Sequence, residues 1–157
     1  MVPSDSVSLG IPECLVALVR SLRRDGFSVA TETHDEEAFG NYQAVLENRT
    51  LRVRIVRDRS IWLLQIGGDG LGDSWFGAGA WRECLEGTEM PVGPSIADGD
   101  CEYVEENWRR MVDALQTELV EATGACLHAR QRERSRVDRA RLRWERENAQ
   151  RKSRDER

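Results

Sequence analysis

Three short runs within residues 39–68 carry apolar side chains at alternate positions and are separated by turn-forming residues, which restricts this part of the chain to an antiparallel meander. Tyr42, Ala44 and Leu46 alternate along Asn41–Glu47, and Asn48-Arg49-Thr50 supplies a turn. Leu51, Val53 and Ile55 then alternate with Arg52 and Arg54 until Val56 breaks the pattern. After Arg57-Asp58-Arg59-Ser60, residues 61–66 are apolar at nearly every position and end in Gly67-Gly68. That composition predicts a central strand covered on both faces.

The flanking segments read as the cover of this sheet. Pro12 and Glu13 suit the first turn of a helix that Asp25-Gly26 closes, with Leu15, Leu18, Val19 and Leu22 on one face and Arg20, Arg23 and Arg24 towards its end. Phe27, Val29, Thr31 and Thr33 predict a further strand before the acidic loop His34-Asp35-Glu36-Glu37. Residues 67–74 are too glycine-rich for regular structure, a short helix is predicted over 80–86 and ends at Gly87, and 87–99 reads as an irregular connection. From Cys101 to Thr123, Val104, Trp108, Met111, Val112, Leu115, Leu119 and Val120 recur at helical spacing, so one long amphipathic helix is predicted up to Gly124. The expected fold class is α+β: an N-terminal helix, a three- or four-stranded antiparallel meander, a packed amphipathic helix, and a projecting basic C-terminal helix or tail. Trp62 and Trp108 belong in or near its core. Residues 1–124 form a single α+β domain in this reading, and 125–157 an arginine-rich helical or disordered tail.

A chain of 157 residues suits one domain, which buries roughly 70% of the surface its unfolded form exposes. No run approaches the roughly 20 apolar residues that cross a bilayer, and the first residues do not read as a secretory signal, so no membrane association and a cytoplasmic location are expected. Cys14, Cys84, Cys101 and Cys126 lie far apart with no C-x-x-C pair; they read as buried free thiols rather than as a zinc site or as disulfides. The net charge of −5 conceals a division: residues 1–127 hold 11 basic and 22 acidic side chains, and residues 128–157 hold 12 basic and 6 acidic. An acidic body therefore carries a basic tail.

No stretch has the spacing of a catalytic or cofactor motif. The glycines of 67–74 lack a lysine and stand among aspartates, which repel phosphate, and His34 with Asp35, Glu36 and Glu37 reads as solvated charge in a loop. No enzyme activity, metal or cofactor is expected. Two sets of residues point instead to partners. Arg52 and Arg54 share one side of a strand and, with Arg57 and Arg59, make a basic stripe that either meets a partner or keeps a sheet edge soluble. Trp75, Phe76 and Trp81 either complete the core or form an interface. A protein partner is the leading expectation. The alternative is nucleic acid, held at its phosphates by Arg130, Arg132, Arg134, Arg136, Arg139, Arg141 and Arg143 of the tail. The oligomeric state is left open.

The stretch Phe39-Gly40-Asn41, then Leu51 to Ser60 and Trp62, resembles small bacterial immunity proteins of polymorphic toxin systems. The F-G-N start and the arginine-rich turn before a tryptophan-bearing strand carry the resemblance, over about 30 residues. It implies a non-enzymatic binder that neutralises a cognate toxin in the cytosol. The arginine-rich tail departs from that pattern.

Overall fold

The computed structural model describes residues 10–35, 37, 40–88 and 99–155, the last four without their side chains. Phe39, Glu36 and most of the predicted connection 87–99 lie outside the described residues. The elements run α1 (Glu13–Arg24), β1 (Ser28–Asp35), β2 (Asn41–Glu47), β3 (Leu51–Asp58), β4 (Ile61–Gly68), β5 (Phe76–Gly77), α2 (Ala78–Glu86), α3 (Asp100–Ala114) and α4 (Val120–Asp155). The strands form one antiparallel sheet in chain order, β1-β2-β3-β4-β5. The α+β meander expected from the alternation is present, extended by the short fifth strand.

Local chemistry accounts for the turns. Asn48 Oδ1 accepts hydrogen bonds from the backbone N–H groups of Thr50 and Leu51 at 2.9 and 2.7 Å, a side-chain substitute for a backbone turn. Arg59 adopts φ 59°, and its N–H is held by Asn41 Oδ1 at 3.0 Å, so the β3–β4 reversal is braced by the first residue of β2. Because β3 continues through Val56 to Asp58, the apparent break in the pattern is a residue turned to the other face, paired with Leu63.

Register places Ala44, Ile55 and Leu64 in one cross-strand row and Leu46, Val53, Ile66 and Phe76 in the next, all buried. Onto this face the helices bring Leu15, Leu18, Leu22, Trp81, Val104, Met111 and Leu127. The opposite face is not covered in the same way. Leu63 and Gln65 of β4 are only half-buried, which corrects the expectation of a strand enclosed on both sides. Trp62 is buried, while Trp108 is half-buried, standing edge-on to Phe27 at 5.2 Å with its Nε1–H donated to Asp25.

The long amphipathic helix expected over 101–123 is two helices. α3 stops at Ala114, whose carbonyl accepts the Thr123 hydroxyl at 2.8 Å, so a side chain beyond the turn satisfies an acceptor that the helix end leaves open. Leu119, counted on the packed face, is exposed in that turn. α4 then runs through Gly124, where a break had been expected, and its first turns pack on α2 and β5. Residues 125–134 therefore belong to the packed body. Leu127 is fully buried, and Arg134 donates to the buried carboxylate of Glu83 at 2.8 Å.

The cysteine expectation also fails in part. Cys84 of α2 and Cys126 of α4 form a disulfide, although they are 42 residues apart. Cys14 and Cys101 are free, the first exposed and the second buried.

Tyr42 and Tyr103 are the two tyrosines of the chain. Burial raises the Tyr42 phenol well above its usual range, and donation to Glu32 raises it further. Tyr103 is pushed up to about 12 by burial and by its bond to Glu86. Both folded values lie above the unfolded value of about 10, so the stability these phenols contribute is present below pH ~10 and is lost as pH rises through about 12. An absorbance titration should show no tyrosinate until that loss begins. A midpoint near 10 in folded protein would show that the phenols are solvated.

Candidate binding face

The open side of the sheet follows from the two-residue period of its strands. Arg52 and Arg54 project opposite to Val53 and Ile55, and cross-strand pairing sets Val45, Arg54 and Gln65 in one row and Gln43, Val56 and Leu63 in the next. A shallow groove of about 450 Å³ lies here, with Thr33, Asn41, Gln43, Arg54, Leu63 and Gln65 among its walls. Its lining combines amide and hydroxyl groups and the carboxylates of Asp35 and Asp58 with the half-buried aliphatic side chains of Val56 and Leu63.

Trp75 lies against the two arginines of this face. The guanidinium of Arg54 lies 4.3 Å from the Trp75 ring centroid and that of Arg52 lies 5.2 Å from it, both within cation–π range. Gly67 makes this stacking possible, because a Cβ there would stand 3.0 Å from the Ser74 carbonyl and 3.3 Å from Trp75 Cε3. Arg54 also donates from Nε and one terminal nitrogen to Gln65 Oε1 at 3.0 and 2.6 Å, and Arg52 donates to the Gly72 carbonyl at 2.6 Å. Partial burial holds Arg54 below its usual pKa, yet a guanidinium in such a site keeps its charge at neutral pH. Two cations are thus fixed in place on a hydrogen-bonded, aromatic support.

The residues singled out in the sequence divide among different places. Arg52, Arg54 and Trp75 come together on the open face. Arg57 shares the parity of Val53 and Ile55 and stands beside Trp62, 5.8 Å from its ring centroid, so it reaches the groove only at its margin. Arg59 sits in the exposed turn, so the four arginines do not form one stripe. Phe76 and Trp81 are core residues, exposed by 2% and 0%, which removes them from any interface. The Trp81 Nε1–H is donated to the Ile66 carbonyl at 3.2 Å, so its polar edge is satisfied inside. Gln43, Val56, Leu63 and Gln65 were not singled out, since only the strand register shows that they share a surface with Arg54.

On α4 the arginines also separate. Arg134 is bound to Glu83, Arg136 to Glu133 and Arg141 to Asp138, with Glu145 3.9 Å from Arg141. Arg130 is half-buried, whereas Arg132, Arg139 and Arg143 are exposed. The exposed apolar side chains Val137, Leu142 and Trp144 follow Arg134, whose guanidinium meets Glu83 of α2, along the helix. A helix of 36 residues is about 54 Å long, so its second half projects.

Among the described residues no group of three or more histidine, cysteine or acidic side chains is placed to hold a metal ion. No helix among them is long and apolar enough to cross a membrane. No protein-family model, no curated protein and no solved structure matches this chain.

Proposed function

We propose that this chain is a non-catalytic protein-binding module, and that its partner is a bacterial toxin that it neutralises. The observation that carries the reading is the open sheet face with Arg52 and Arg54 held against Trp75. Arginine and tryptophan are the side chains most often found at the energetic centre of protein interfaces, and here their geometry is set before any partner arrives. Val56 and Leu63 add an apolar strip beside them. The complementary surface offers carboxylates to the two guanidinium groups and an apolar side chain to the strip. The resemblance of residues 39–62 to immunity proteins directs the choice of a toxin. A cytosolic setting belongs to this reading; the Cys84–Cys126 bond pulls the other way, because disulfides persist where thiols are kept oxidised.

The test begins with capture of the partner on the full chain from its native host. The captured protein must arrest growth when expressed alone and be relieved by co-expression of this chain. Arg54→Glu and Trp75→Ala should each weaken capture at least about tenfold, or about 1.4 kcal/mol, while circular dichroism stays unchanged. A non-toxic partner, or capture indifferent to both substitutions, rejects the reading.

A second reading rests on the projecting half of α4, where Arg139 and Arg143 are exposed along an ordered helix that also carries the exposed Trp144. Such a helix can meet nucleic acid through phosphate contacts and stacking. Removal of residues 139–157 keeps the Arg134–Glu83 contact and so leaves the body intact. If this reading holds, the full chain binds RNA or DNA with an affinity that falls steeply with salt, and the truncated chain does not. Absence of binding by the full chain at low salt disposes of it.

A further inference from the structure

All four cysteines of the chain are paired in space. Cys84 and Cys126 are bonded across α2 and α4, while Cys14 of α1 and Cys101 of α3 keep their thiols and lie within hydrogen-bonding reach of each other. The two helices that carry this second pair pack side by side. We infer that Cys14 and Cys101 are a second disulfide site, closed by a small-molecule disulfide of the glutathione class.

The surroundings assign the order of events. Cys14 is exposed and Cys101 only 4% exposed, so an external disulfide meets Cys14 first. The Cys14 thiolate, its proton given to solvent, attacks one sulfur of the disulfide. The old S–S bond breaks, one thiolate departs and is protonated, and Cys14 is left in a mixed disulfide. Cys101 then loses its proton and attacks Cys14 Sγ, expelling the second thiolate. One small disulfide is reduced to two thiols, and two protein thiols are oxidised to one bond.

Burial holds the Cys101 thiol well above its usual range, reinforced by its hydrogen bond to Cys14 and by the carboxylates of Asp100 and Glu102. Cys101 is therefore protonated at neutral pH, and the closing step is the slow one. When it occurs, α1 is tied to α3 as α2 is tied to α4. Two of the three main helix–helix contacts among the described residues, with α2–α3 the third, are then stapled.

The experiment uses the full chain with its Cys84–Cys126 bond intact, incubated with oxidised glutathione at mildly alkaline pH and followed by intact mass and non-reducing peptide mapping. The expected course is a transient glutathione adduct on Cys14, then a species lighter than the starting protein by two hydrogens in which the Cys14 and Cys101 peptides are joined. Cys101→Ser should stop at the Cys14 adduct, and Cys14→Ser should leave Cys101 unmodified. The inference is overturned if wild-type Cys14 keeps its glutathione, if neither thiol reacts, or if either is found joined to Cys84 or Cys126. Should the variants fail to fold, the wild-type peptide map decides alone, because the joined peptides must appear there.

Discussion

Trp81→Ala is expected to lower the unfolding free energy by about 3–5 kcal/mol, the range for removing a large aromatic side chain from a core that cannot collapse around the void. Trp81 is fully buried, and it stands in α2 where that helix meets β4. Its neighbours restrict relaxation: Glu83 two residues on is held by Arg134, and Cys84 is bonded to Cys126. The substitution also leaves the Ile66 carbonyl without the indole donor, which adds to the loss. Urea unfolding of both proteins measures the difference. A loss below about 1 kcal/mol would mean that Trp81 is solvent-facing and that α2 does not lie on the sheet.

Cys126→Ser is expected to cost about 3–4 kcal/mol. Opening a bond that closes a separation of 42 residues returns conformational freedom to the unfolded chain, and chain-entropy reasoning gives about 4 kcal/mol for a loop of that length. The loss falls first on α4, whose attachment to the body is otherwise held by Val120, the Thr123 bond to the Ala114 carbonyl, Leu127, the edge contact of His128 with Phe76 at 4.9 Å, and the Arg134–Glu83 pair. Hydrogen exchange should therefore show residues 120–135 opening at lower free energy in the variant, with β2, β3 and β4 less affected. Equal unfolding midpoints for variant and parent would show that the bond contributes nothing to the folded state.

Both expectations depend on facts that lie at different distances from the sequence. The alternation along β2 and β3, the helical spacing of Leu15, Leu18 and Leu22, and Gly87 ending α2 with φ 69° were all legible, because each is a property of a few neighbouring residues. The side shared by Arg52 and Arg54 was legible for the same reason, and so was its opposition to Val53 and Ile55. Of the candidate site, the two arginines could be read in advance, and Trp75 only as one of three aromatics with no means of choosing between core and surface.

What the chain determines by itself is which residues share a face, since the periods of strand and helix are fixed by backbone geometry. What covers that face is decided by partners far away in sequence. The run 61–66 is apolar enough for a strand enclosed on both sides, but α1, α2, α3 and the start of α4 bring their buried side chains to the face of Leu64 and Ile66, and Leu63 stays half-exposed. The same dependence separates Trp81 in the core from Trp75 under two arginines, turns Cys84 and Cys126 into one bond, and splits the helical pattern of 101–123 at a turn closed by Thr123. None of these has a local signature, because each is set by which element packs against which.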